Sequence, residues 1–349
     1  MLDALPIPRI TNDPSETSEG IQAILTHAAY APLEDTGWLQ VTGEDRVRWL
    51  NGMVTNSIQV LTSGQGCYNF FLNAQGRIQA DATAFALDHA LLLETTRARI
   101  PALTAMLDRF IIMDDVELRP MDARAGLLLA GPFAAASLES LGLSAKHLAQ
   151  LQLVHASFEG APIDLIHAHS PLVPRFELWA TPETIAALVT ALAAGLPLAT
   201  PETIEALRLL EGNPLYGVDL HDRDLPQETA QPGEQSRAIH FSKGCYLGQE
   251  IVERIHSRGN VHRTFAGFLL SGPVPDVGST LFDAAAPDKS IGELTSVRLV
   301  QLPTGPATLA LGFIRREAIE AAKVNPGQIR YSTGSASPIK LPYKISSSA

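Results

Sequence analysis

Cys67-Tyr68-Asn69-Phe70-Phe71-Leu72-Asn73-Ala74-Gln75-Gly76-Arg77 reads as a strand running into a hairpin-type turn. Arg77 to Leu87 is the return strand, and Ala90 to Thr95 is a third. Upstream, Gly37 to Gly43 alternates like a strand and ends at a turn glycine. Glu44 to Gly52 has helical spacing through Val47 and Leu50, and a helix over Gly20 to Ala29 has Ser18 as its cap. Pro101 to Phe110 is a helix with proline in its first turn. A second round follows: strand Gly126 to Ala130, helix Phe133 to Leu141, strands Ile163 to His167 and Phe176 to Ala180, and helix Pro182 to Ala194 capped by Thr181. Repetition of this order predicts an α+β architecture of ferredoxin-like α/β subdomains. Thr203 to Glu211 is a further helix, and residues 212–262 are polar and motif-rich. After Arg263 the pattern changes to short strands: Phe265 to Leu270, Thr280 to Phe282, Ser290 to Leu299 and Thr308 to Ile314. That is the pattern of a small β-barrel. The expected domains are 1–262, holding two interleaved subdomains, and 263–349, a C-terminal barrel ending in a disordered serine-rich tail. Residues 1–20 read as a loose arm.

Composition bounds the function. The chain has 349 residues, 46% hydrophobic and 18% charged, enough to bury a large core in more than one domain. A net charge of −11 disfavours duplex nucleic acid as a general partner. Cys67 and Cys245 are the only cysteines. Two thiols make no disulfide framework and cannot hold an iron–sulfur cluster by themselves. The polar, proline-broken N-terminus has no apolar signal core, and Ile185 to Ala199 falls short of a membrane span. The expectation is a cytoplasmic monomer.

The densest chemical signal is Lys243-Gly244-Cys245-Tyr246-Leu247-Gly248-Gln249-Glu250, a glycine-flanked thiol entering a helix at Gln249. A cysteine before a helix N-terminus meets the positive end of the helix dipole, and a lysine two residues away adds a cation. An isolated free cysteine is most often a small buried hydrophobe. The crowd of Lys, Gln and Glu around Cys245 leaves little for a packing role to explain. His240, His256 and His262 match no zinc spacing and read as solvated, and no Walker loop, dinucleotide fingerprint or nucleophile elbow is present.

This octapeptide, continued through Glu253, Arg254, Arg258, Gly259 and His262-Arg263, resembles the signature of the YgfZ-type folate-binding proteins of the glycine-cleavage T-protein superfamily. The resemblance covers most of the chain. It includes Gly43-Glu44-Asp45-Arg46 with Trp49-Leu50-Asn51-Gly52 and Thr55-Asn56, then Leu72 to Arg77 with Asp81, then Leu207-Arg208 with Gly212 to Asp219, and Leu225-Pro226-Gln227-Glu228.

The resemblance implies subdomains around a central opening that binds tetrahydrofolate or another reduced folate. It places Asp81 near the reactive folate nitrogens; the T-protein enzymes carry an acidic pair where this chain has Ala80-Asp81. It makes Cys245 and Lys243, with Asp81, the candidate reactive groups, and Asp81, Glu211, Glu228, Met53 and Tyr246 the candidate cofactor contacts; no metal is implied. The family's pterin glutamate aligns with Leu210, and Glu211 comes one residue later, a helical rotation of ~100°. Either Glu211 reaches the pterin differently or pterin binding is altered. The implied function is support of iron–sulfur cluster assembly or repair, with assembly or client proteins as partners. The alternatives are a tetrahydrofolate-dependent one-carbon transferase (aminomethyltransferase or demethylase) and a thiol-based adaptor that retains the fold.

Overall fold

A computed structural model describes residues 14–229, 237–259, 261–302 and 304–345; the expected arm before residue 14 and the expected disorder from residue 346 lie outside the described residues. The chain opens with α1 (Pro14–Thr26), β1 (Ala29–Pro32), β2 (Thr36–Thr42), α2 (Arg46–Met53), β3 (Gly66–Leu72), β4 (Ile78–Ala86), β5 (Leu91–Thr96), α3 (Ile100–Asp108) and β6 (Glu117–Pro120). It continues with β7 (Ala125–Ala130), α4 (Ala134–Ser140), β8 (Gln152–Phe158), β9 (Ala161–Ala168), β10 (Arg175–Ala180), α5 (Pro182–Ala193), α6 (Pro201–Glu211) and α7 (Gln249–Arg258). The last stretch is β11 (Arg263–Ser271), β12 (Thr280–Asp283), β13 (Ala286–Leu302), β14 (Gly305–Arg315), α8 (Arg316–Val324), β15 (Ile329–Tyr331) and β16 (Gly334–Ile339).

Two five-stranded antiparallel sheets form, in the orders β3-β4-β5-β2-β6 and β1-β7-β10-β9-β8, and β11-β14-β13-β12-β15-β16 closes into a barrel. The sheets are interleaved, because β1 leaves its sequence neighbours to pair with β7. The sequence expectation missed β1, β6, β8, α8, β15 and β16, and the expected cap Ser18 falls inside α1. Thr181 does cap α5, accepting from the Thr184 amide at 3.4 Å. No helix among the described residues is long and apolar enough to cross a membrane.

Side-chain alternation decides what each sheet face does. On β4, Ala80, Ala82 and Ala84 enter an apolar core with Leu39, Trp49 and Leu50. Gln79, Asp81 and Thr83, on the other face, are half-buried. That face looks toward β10, and an aromatic layer joins the sheets: Trp179 packs edge-on against Trp38 and Phe85, each at 5.5 Å between ring centroids. A separate core unites α1, β3, α6 and the barrel through Ile21, Phe70, Leu207, Val300 and Phe313.

One buried ion pair fixes the barrel to α6. Arg208 pairs with Asp219, which is 1% exposed, and also donates to Glu205 Oε2 and to Ser296 Oγ on β13, each at 2.7 Å. Asp219 further accepts from Leu215 N at 3.0 Å and from Ser296 Oγ at 2.7 Å. Arg208→Ala strands a buried carboxylate and should cost about 3–5 kcal/mol in urea unfolding. Lys323→Ala removes only the exposed pair with Glu320 and should stay within about 0.5 kcal/mol of wild type.

Candidate functional site

Beside the aromatic layer the inter-sheet space turns polar. Tyr68 Oη donates to Asp81 Oδ2 at 2.7 Å, and the Arg237 guanidinium lies 4.3 Å from the Tyr68 ring centroid. Burial pushes the Asp81 carboxyl up, against the Tyr68 hydrogen bond and the charges of Arg237 and Arg99. Opposite, Glu177 is 2% exposed and saturated with donors: Arg175 Nε and Nη2 reach Oε1 at 3.1 and 2.7 Å, and Trp179 Nε1 reaches Oε2 at 3.1 Å. Burial first, then the negative charge of Glu177, raises the pKa of Glu94 on β5 well above the usual carboxylate range. Arg99 stacks over Tyr216 at 5.2 Å.

The end of α6 completes this polar cluster. Gly212, at φ 73°, adopts the left-handed conformation that stops the helix. Leu210 turns into the apolar core and Glu211 turns into the polar cluster. Glu211 accepts from the Ser170 hydroxyl and from Asn213 Nδ2 at 2.7 Å, and the charges of Arg175 and Arg237 act on it. Glu211, one residue after Leu210, thus stands in the polar cluster with Arg237, whose charge also acts on Asp81.

The Lys243–Glu250 loop is built against α2. Leu247 N donates to Gly52 O at 3.0 Å, and Asn56 Nδ2 donates to Arg237 O at 3.0 Å. The Lys243 ammonium donates to Asn51 O at 2.7 Å, to Val54 O at 2.6 Å and to Asn56 O. It therefore occupies carbonyls that the end of α2 leaves without helical partners. This corrects the expectation of Lys243 as the cation of the Cys245 thiol: it is a brace for the loop. Burial lowers its pKa to about 8. Gly248, at φ 82°, starts α7 pressed on the hairpin turn; a Cβ there would sit 2.5 Å from Asn73 O. Cys245 is exposed at the tip.

The other expected contacts divide. Tyr246 is buried in the shared core, 5.0 Å under the Lys243 ammonium. Met53 packs on the core around Trp49 and Leu50. Glu228 does not stand free for a cofactor: it accepts Arg263 in a fork at 2.9 Å on both oxygens and the Leu225 amide at 2.9 Å, tying its loop to β11. Tyr68, Glu94, Arg99, Ser170, Arg175, Glu177, Asn213 and Arg237 were not singled out from sequence. The usable signal was a charge inside an apolar strand, as in Leu91-Leu92-Leu93-Glu94 and Phe176-Glu177-Leu178.

Residues 14–231 match the family model described as the GCVT N-terminal domain. A chloroplastic protein of Arabidopsis thaliana, provisionally named a transferase, is 27% identical over 307 residues, covering 86% of this chain and 68% of that protein. The tRNA-modifying protein YgfZ of Escherichia coli is 28% identical over 253 residues, covering 71% and 74%. Among solved structures, the glycine cleavage system aminomethyltransferase T of Bartonella henselae superposes with a TM-score of 0.79 at 21% identity, covering 94% of this chain and 89% of that one; this likeness is one of fold.

Two outcomes follow from the thiols and the brace. Burial raises the Cys67 thiol to about 11, so iodoacetamide at neutral pH should modify Cys245 and reach Cys67 only on unfolding, as read by peptide mass spectrometry. The folded Lys243 value of about 8 lies below the ordinary 10.5, so the unfolded chain binds more protons across that window and stability rises with pH there. Cys67 opposes this only from its ordinary value of 9.0 upward. Thermal melts from pH 8 to 9 should show the rise in wild type and lose it in Lys243→Met.

Proposed function

The chain belongs to the GCVT N-terminal domain family, and from that we propose a folate-binding protein that supports iron–sulfur cluster assembly or repair in client enzymes. The observation that carries the reading is one exposed thiol, Cys245, on a rigidly braced loop docked to the strands that hold Asp81. The donor set of the inter-sheet opening fits a reduced folate. Asp81 and Glu211 are acceptors for the N–H groups of a pterin, Tyr68 and Tyr216 offer ring faces, and Arg99 and Arg237 suit an acidic tail. Tetrahydrofolate, when bound, supplies one-carbon carrying capacity; the chain's own residues orient it.

A braced loop fixes the thiol relative to the opening while leaving it open to a partner protein. The cluster itself is cargo, since two cysteines cannot complete its ligation within the chain. The tRNA-modifying relatives point to tRNA-modifying enzymes among the clients. The protein acts in the cytoplasm as a monomer in this reading. A second reading, tetrahydrofolate-dependent one-carbon transfer with Asp81 as acid–base group, uses the same opening and finds its support in the relative named a transferase. It leaves the exposed Cys245 without a task.

Anaerobic calorimetry should detect tetrahydrofolate binding, weakened about tenfold by Asp81→Asn, the equivalent of about 1.4 kcal/mol for one charged hydrogen bond. Cys245→Ser should bind folate like wild type yet fail to restore aconitase activity in a deletion strain. Full rescue by Cys245→Ser together with failure of Asp81→Asn moves the assignment to the one-carbon reading.

A further inference from the structure

The three tryptophans divide by what their indole N–H groups meet. Trp49 Nε1 donates to Phe110 O at 3.2 Å, and Trp179 Nε1 donates to Glu177 Oε2 at 3.1 Å. Trp38 is 1% exposed, yet its indole N–H has no acceptor among the described residues. A buried donor without a partner is uncommon and weakens the fold that holds it. Trp38 forms part of the wall of a cavity of about 380 Å³, bounded by β2, α3 and the end of β6. This cavity shares no residue with the polar cluster around Asp81 and Glu211.

One wall is a single face of α3 and the turn before it, where Arg97, Ile100, Pro101, Ala105 and Asp108 recur at helical spacing. Gly37 lets this wall close on β2: a Cβ there would sit 2.6 Å from Arg97 Cα. Opposite, Met121 N donates to Trp38 O at 2.9 Å, so Asp122 follows at the level of Gly37. Arg97 and Asp122 thus converge from two elements beside Trp38. The Arg97 guanidinium lies 6.0 Å from the Trp38 ring centroid. It makes no ion pair among the described residues and is tethered only through Nε, to Glu34 O at 3.2 Å. Its terminal nitrogens can therefore turn to a ligand.

A guanidinium beside an unpaired indole N–H is a set of donors that a carboxylate completes, one oxygen on each. Asp122 next to them repels a bare carboxylate and accepts an ammonium group. Ile100, Pro101, Ala105 and Met121 offer an apolar wall to the body of the ligand. The volume lies near the small end of ligand sites, which span about 300–1,000 Å³, and suits one ring or branched chain. Asp108, exposed at the far end of α3, disfavours an acidic group there.

We infer that this cavity binds a free α-amino acid with a bulky apolar side chain. The carboxylate meets Arg97 and the Trp38 indole N–H, the ammonium meets Asp122, and the side chain lies along α3. A peptide terminus or a simple organic acid carries only one of the two charges and leaves Arg97 or Asp122 unmatched. The site is separate from the proposed folate opening and stands whether or not folate binds.

Proton–nitrogen NMR correlation spectra separate the three indole N–H groups, with Trp38→Phe assigning its own. L-leucine, L-methionine and L-phenylalanine are titrated in turn. At least one should bind saturably and move the Trp38 indole proton downfield, while those of Trp49 and Trp179, already bonded, hold their positions. Arg97→Met and Asp122→Asn should each weaken that binding about tenfold, with Arg97→Lys between wild type and Arg97→Met. Both side chains are exposed, so thermal melts of these variants should stay near wild type. The amide of the bound amino acid lacks the carboxylate and its deaminated acid lacks the ammonium; each should bind about tenfold more weakly. No saturable binding by any of the three amino acids, or a Trp38 indole proton that does not move, overturns the site. Equal binding of the deaminated acid, or undiminished binding by Asp122→Asn, overturns the amino-acid assignment.

Discussion

The Lys243 ammonium, sunk among the carbonyls of Asn51, Val54 and Asn56, is the interaction on which the arrangement of the site depends. A helix end with unpaired carbonyls needs donors, and α2 has no basic residue in its own last turn. The donor arrives from a segment nearly two hundred residues further along the chain. Neighbouring contacts repeat the pattern. The Thr55 hydroxyl donates to Ala238 O and accepts from Phe70 N, so one side chain joins the returning segment to β3. The loop, α2 and the hairpin are thus one rigid piece, with the thiol at its free edge.

The inter-sheet layer shows a graded dielectric. Trp38, Phe85 and Trp179 make its apolar side, and the Trp179 indole N–H then reaches across to Glu177. From that point the layer holds the acids Glu177, Glu94 and Asp81, with Arg175 and Arg237 beside them. Desolvation raises the carboxyls, and neighbouring guanidinium groups restrain the rise at Asp81 and Glu211. Burial likewise lowers His169 to about 4, so that imidazole stays neutral near Arg237 and Arg175. An enclosed set of acids and guanidinium groups that nearly balance can admit a polar heterocycle without a net charge penalty.

Periodicity exposed the strands and helices that bury one face, because β4 and α6 wear their cores as alternating or three-and-four spaced apolar residues. It missed short edges such as β6, whose Glu117-Leu118-Arg119-Pro120 is polar, as an unpaired sheet edge must be. It also missed β1, which exists only because β7 pairs with it from far away. Of the candidate site, a turn marked Asp81 and a motif marked Cys245 in the sequence. Glu94 and Glu177 hid within apolar strands, since their partners sit on the other sheet and no local rule links them. Lys243 was read as a neighbour of Cys245 because two positions separate them; burial at the end of α2 is a long-range fact that no spacing encodes. Glu228 lay in a matching motif, yet its partner Arg263 belongs to the barrel.

The interleaving of the sheets orders the events of synthesis. Residues 36 to 120 contain every strand of the first sheet, so that unit can close while the rest is still being made. β1 leaves the ribosome before that sheet but must wait for β7, and α1 must wait for the barrel strand β13, against which it packs. The earliest helix among the described residues is among the last to find its place, and its apolar side, including Ile21 and Ile24, stays uncovered through most of translation. A nascent chain of this design has a long interval in which a holding chaperone has something to bind, and the interval ends only when the C-terminal barrel arrives.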